Sequence, residues 1–112
     1  MQIARWKERM DFSPERMRKS NLFETERFFL DVYAFEPGQE QKPHDHAGCD
    51  KVYLVVEGHG VIQVGGELAD VGPGDAVLAP AGVLHGARNP GPGRLVLLAF
   101  MAPHPNFAPT AP

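Results

Sequence analysis

The sequence predicts an all-β domain, a small sandwich or barrel, preceded by a short helical arm. Three observations carry that prediction. Short runs rich in β-branched and aromatic residues recur along the chain, and clusters of Gly and Pro separate them. The punctuation then changes along the sequence. The first thirty residues contain no glycine and one proline, whereas all twelve glycines and ten of the eleven prolines lie beyond residue 36. Charge changes with it: seven Lys/Arg face five Asp/Glu in the first thirty residues, and four face nine in the remainder. A helix-permissive arm leading into a turn-dense β body accounts for all three.

Within the arm, "FSPERM" has the marks of a helix start. Ser13 can cap, Pro14 suits the first helical position, and Glu15 complements the positive end of the helix dipole. Phe12 and Met17 stand at the staple positions on either side of the cap. The body follows as "RFFLDVYAF" (27–35), "KVYLVVE" (51–57), "VIQV" (61–64), "ELADV" (67–71), "AVLAP" (76–80) and "RLVLLAFM" (94–101). Gly65-Gly66 between two strand-like runs is a hairpin signal. Several runs are apolar on both faces, as strands are when a second layer covers each side. After Met101 the chain becomes proline-rich, which predicts a loose tail.

At 112 residues and net charge −3, the chain fits one domain and offers no basic footprint for nucleic acid or an acidic membrane. The single cysteine, Cys49, excludes an internal disulfide and a cysteine zinc cage. The first residues lack an apolar signal core, and no stretch approaches the ~18 apolar residues of a membrane span. Cytoplasmic location is the default expectation. The apolar arm and an edge strand suggest a homodimer, which removes an exposed edge by pairing.

Chemistry concentrates in "KPHDHAGCDKVYLVVEG" (42–58). On an extended strand, residues two apart share a face, so His44 and His46 project side by side and can tilt onto one metal ion. The run "GDAVLAPAGVLHGARN" brings a third histidine, His85, to the start of a strand after a turn at Pro80 and Gly82. Gln41 and Glu40 precede the pair and are candidate oxygen donors. Tyr53 shares strand parity with Lys51 and either lines a cavity or fills the core. His59, in a Gly-rich turn, and His104, in the tail, are expected to be exposed bystanders. Cys49 reads as an incidental loop thiol, and Asn89 and Gly82 as turn formers.

These two segments resemble the two motifs of the cupins. Residues 38–58 show a Gly, five residues, His-x-His and a closing Gly. In residues 74–89, Gly74, Pro80, Gly82, His85 and Asn89 fall in register with the second motif. The resemblance implies a small double-stranded β-barrel (jelly roll) and a division into an arm (1–26), a barrel (27–103) and a flexible tail (104–112). It also implies a divalent transition metal, Fe, Mn, Zn or Ni, inside the barrel mouth. The carried-over ligands are His44, His46 and His85, and Lys51 stands where the family places a glutamate. Asp50 is one residue early, which on a strand turns it to the opposite face.

Three-histidine sites are known among cupin dioxygenases, so the missing carboxylate does not exclude a metal. Lys51 then has three placements: deprotonated beside the site, stretched to an anionic substrate, or snorkelled outward beside Asp50 or Glu57. The outward placement is the expected one. Two functions from different classes follow. One is a metal-dependent enzyme, a dioxygenase or isomerase of a small molecule. The other is a non-catalytic module that binds or senses an anionic metabolite.

Overall fold

Alternation of inward and outward side chains along Asp50–Glu57 (β4) sets the architecture. Lys51, Tyr53 and Val55 are buried while their neighbours are half-buried or exposed, the period-two signature of a strand with one face on a core. A computed structural model describes residues 1–107. The further strands are Arg18–Glu24 (β1), Phe29–Phe35 (β2), Glu40–His44 (β3), Gly60–Val64 (β5), Glu67–Val71 (β6), Ala76–Ala79 (β7), His85–Arg88 (β8) and Leu95–Ala102 (β9). They form a five-stranded sheet, β1-β2-β9-β4-β7, and a four-stranded sheet, β3-β8-β5-β6. Every pairing is antiparallel, which is the two-sheet jelly-roll arrangement.

Cross-strand register stacks the core in layers. Tyr33, Leu97 and Val55 sit opposite one another on β2, β9 and β4, with Phe35 and Leu95 paired one layer further in. Ile62, Val71 and Ala87 close this cluster from the smaller sheet. The layers at the other end, Asp31–Ala99–Tyr53 and Phe29–Met101–Lys51, are those that reach the histidines. Burying such aliphatic and aromatic side chains supplies roughly 1.5–3 kcal/mol each before entropy is counted.

The all-β expectation holds, and the strands read from the sequence fall within a few residues of their observed limits. The helical arm is reduced to one 3-10 turn at Trp6–Glu8. At "FSPERM" the Ser13 hydroxyl does accept a bond from the Glu15 amide at 3.2 Å, but residues 14–16 form a bend and the chain enters β1 at Arg18. The cap chemistry serves a turn, because β1 takes up the next residues by pairing with β2. Met17 packs against the core cluster from this segment.

His104 is buried rather than the exposed bystander expected. Its Nε2 donates to Glu24 at 2.6 Å, and its ring packs edge-on against Phe29 and Phe107. A carboxylate on β1 and two aromatic rings hold the imidazole down. The remainder of the expected tail, residues 108–112, lies outside the described residues. His59 is exposed, as expected.

Candidate metal centre

The site begins as a strand pairing. β3 runs antiparallel to β8 with His44 directly opposite His85. Their register shifts by one residue between Gln41 and His44, and Pro43, which has no amide hydrogen to give a ladder, sits inside that irregularity. The extra residue puts Gln41 and His44 on the same inward face although their spacing is odd. Gly86 makes the close approach possible, since a Cβ there would lie 2.8 Å from the Gln41 carbonyl oxygen and 3.0 Å from the Pro43 nitrogen.

His46 arrives differently. β3 ends at His44, so the side-by-side strand geometry read from the sequence does not place His46. A loop does. The His46 carbonyl accepts from the Gly82 amide at 3.0 Å, and Asp50 Oδ1 accepts from the Ala81 amide at 2.9 Å. Gly82 adopts φ +78°, a conformation that side-chain-bearing residues rarely take. The β7–β8 turn therefore holds the loop after β3. Asp50 is spent on that tie and faces away from the histidines.

The three rings converge. Centroids of His44 and His46 lie 4.9 Å apart, those of His44 and His85 4.6 Å, and those of His46 and His85 5.8 Å. One nitrogen from each ring falls within 4.8 Å of the others. An ion bonded tetrahedrally at ~2.0–2.1 Å needs nitrogen pairs roughly 3.3 Å apart, a contraction that small ring rotations can supply.

Tautomers are set by backbone carbonyls, which can only accept. His44 Nδ1 donates to the Lys42 carbonyl at 2.9 Å, and His85 Nδ1 donates to the Val83 carbonyl at 3.0 Å. In the neutral ring this tautomer leaves the lone pair at Nε2, the nitrogen a metal would take. Among the described residues His85 Nε2, which is buried, has no hydrogen-bond partner, a defect that costs about 1–3 kcal/mol if nothing fills it. Burial holds the His85 and His46 pKa values below the ordinary imidazole value. For His85 a backbone hydrogen bond opposes the shift and neighbouring Lys51 adds to it; for His46, His44 and Lys51 add to it. Imidazole nitrogens converging on a common point fit a divalent transition ion.

Lys51 corrects the outward expectation. It is 1% exposed and points inward, where Nζ donates to the Tyr33 hydroxyl at 3.0 Å and lies 5.0 Å from the Tyr53 ring centroid. Strand parity overrides snorkelling: on β4 residues 51, 53 and 55 face the core, while Asp50 and, beyond the register shift after Val55, Glu57 are exposed. The Lys51 pKa is pushed down to about 7, first by burial, then by the charge of Lys19, with Asp31 partly opposing.

Tyr53 is fully buried in the core cluster, and its hydroxyl donates to Gln41 Oε1 at 2.8 Å. Gln41 thus spends its oxygen on Tyr53, and Glu40 is exposed. Gln41 Nε2 is buried without a hydrogen-bond partner among the described residues. Cys49 is buried, and burial followed by the Asp50 charge raises its pKa, so it stays a protonated thiol. Asn89 is a turn former: its side chain donates to the Phe35 and Gly93 carbonyls and accepts from the Gly91 amide.

Tyr33 is the residue of this site that sequence reasoning misses. The available signal is a tyrosine on the core-facing parity of "FFLDVYAF", because a buried hydroxyl needs a partner. Clefts elsewhere, one of about 500 Å³ around Gly60, Asp70 and Pro90 and one of about 210 Å³ along Glu40, Val61 and Arg88, include none of these three histidines. Convergent geometry defines this centre better than cavity size.

Comparison with known proteins agrees with this architecture. A family model described as "Cupin domain" matches residues 31–101. TT1209 from Thermus thermophilus has a solved structure that superposes with TM-score 0.89 at 46% identity, over 92% of this chain and 98% of that one. A double-stranded β-helix domain protein from Klebsiella pneumoniae superposes with TM-score 0.85 at 28% identity, over 90% and 84% of the two chains. Protein SCO3923 of Streptomyces coelicolor is 39% identical over 74 residues, covering 64% of this chain and 68% of its own.

Proposed function

This chain belongs to the cupin domain family, and on that premise we propose that it is a metal-dependent cupin acting on a small molecule in its barrel. His44, His46 and His85 would hold a divalent transition ion. The observation that carries this reading is the buried Nε2 of His85, unpartnered among the described residues, in a group of three imidazoles whose nitrogens converge. Three protein ligands leave coordination positions for a substrate or water, as catalytic sites require. A bound divalent ion supplies Lewis acidity, polarising a substrate oxygen or acidifying bound water. The protein's own part is to fix the tautomers through the Lys42 and Val83 carbonyls and to seat His46 through Gly82.

Dioxygenase or isomerase chemistry is the enzymatic reading that we favour. A second reading, a non-catalytic module for an anionic metabolite, gains support from Lys51, a buried amine in no ion pair among the described residues. Metal analysis of protein purified without chelator, followed by oxygen uptake and product analysis over a small-molecule panel, separates them. Near-stoichiometric metal with metal-dependent turnover is the expected result. Metal or ligand binding without turnover would select the second reading, and absence of both metal and turnover would reject the first.

Location and assembly belong to the same proposal. No helix among the described residues is long and apolar enough to cross a membrane, and we place the protein in the cytoplasm. We propose a homodimer, supported by an apolar outer row of Leu30, Phe100, Val52 and Leu78, in register across four strands. We assign residues 1–26, 27–103 and 104–112 as arm, barrel and tail.

A further inference from the structure

The polar wall behind the histidines has an unbalanced inventory. Four buried side chains make it: Lys51, Tyr33, Tyr53 and Gln41. Two of its oxygens are engaged, since Tyr33 accepts from Lys51 and Gln41 Oε1 accepts from Tyr53, and the Tyr53 oxygen is left to accept. Its donors are in excess. A protonated Lys51 has two further N–H bonds, the Tyr33 O–H remains after its oxygen accepts, and Gln41 Nε2 has no partner. Among the described residues no carboxylate lies within ion-pair distance of Lys51. Buried donors that outnumber the acceptors beside them favour a group that only accepts.

We propose that this wall is a subsite for the carboxylate of a small organic acid, the rest of which faces the three histidines. Two buried nitrogens, Lys51 Nζ and Gln41 Nε2, flank the tyrosine pair, and a carboxylate presents two oxygens to match them. A phosphate would bring further oxygens for which the wall has no nitrogen. The Tyr53 and His85 rings meet edge-on, with centroids 6.1 Å apart, so the wall adjoins the histidines and the acid must be small. His44 and His46 are half-buried while His85 and Lys51 are buried, which places the way in at the first pair. The subsite rests on the metal reading only for the position of the far end of the acid.

The experiment titrates malonate, malonamide and inorganic phosphate into zinc-loaded and into chelator-treated protein, with binding read by thermal shift and zinc content measured in every sample. Malonate is expected to bind at least tenfold more tightly than malonamide in both forms. Lys51→Met should erase that preference while zinc remains bound. Gln41→Glu, which supplies a carboxylate to the wall from within and keeps the Tyr53 bond, should erase it as well. Equal binding of malonate and malonamide, equal response to phosphate, or an unchanged preference in both variants would overturn the subsite. Wild-type protein that takes up no zinc would remove the metal reading instead, leaving the comparison on chelated protein to decide this one.

Discussion

His85→Ala lowers affinity for zinc by at least about 100-fold while the two sheets remain folded. Loss of groups that merely orient a ligand costs 10–100-fold, and His85 is proposed as a ligand. It is also the most buried of the three, its partner strand places it opposite His44, and its free nitrogen has no other use. Without it, His44 at a strand end and His46 in a loop form a two-point site open to solvent. The fold should survive, because the truncation removes an unpartnered polar atom along with the ring volume. His59→Ala is the control: that histidine is exposed in the turn between β4 and β5 and should leave affinity unchanged. Competition against a chromophoric chelator measures both variants, with circular dichroism reporting the fold. Unchanged zinc affinity in His85→Ala would rule out the metal centre.

Why the histidines are legible in the sequence and their surroundings less so follows from what each depends on. His85 and the pair at 44 and 46 sit in motifs whose glycines and prolines dictate turns, and turns are local. Gly82 illustrates this, since its positive φ is readable as a turn requirement before any contact is known. His46 joins the site as expected but by another route. Strand parity predicts its direction, yet β3 stops at His44 and a hydrogen bond from a distant turn seats the next histidine. The one-residue irregularity that turns Gln41 inward is a product of pairing with β8, and a single strand's pattern does not contain its partner's register.

The residues that depart from expectation share a cause. For Lys51, a general preference of lysine for solvent competes with strand parity, and parity prevails because Asp50 is already committed to the Ala81 amide. For His104, proline-rich composition argues for a loose tail, while the partner that buries it, Glu24, lies 80 residues earlier. The helix at "FSPERM" does not form because a good cap does not outweigh the pairing of β1 with β2.

Lys51→Met makes the metal-free protein more stable at pH 7, by roughly 3–4 kcal/mol, and that advantage disappears as pH rises. The folded pKa is about 7, against an ordinary value of 10.5. Between those values the unfolded chain holds the Lys51 proton and the folded chain does not, so unfolding takes up a proton and stability rises with pH. Below the folded value both states are charged and the cost of burying the ammonium is fully present. At 1.36 kcal/mol per tenfold change in proton affinity, that cost is about 5 kcal/mol, from which roughly 1 kcal/mol is subtracted for the lost bond to Tyr33. The groups facing Lys51 are Tyr33 and Asp31 on β2, Lys19 on β1, Tyr53 on β4, and His46 and His85. Only Asp31 favours the charged amine. Urea denaturation of both proteins at pH 6, 7, 8.5 and 10, with chelator present, measures the effect. By pH 10 the advantage of methionine should fall below about 1 kcal/mol. A gap that stays constant across this range would mean that Lys51 keeps its proton through a partner, and the wall would then lack the free donors assigned to it. A gap that closes as described identifies a side chain that destabilises the barrel at neutral pH. Malonate on the wall should then restore the proton of Lys51 and flatten the pH slope of the wild-type protein, because an anion beside a buried amine raises its pKa.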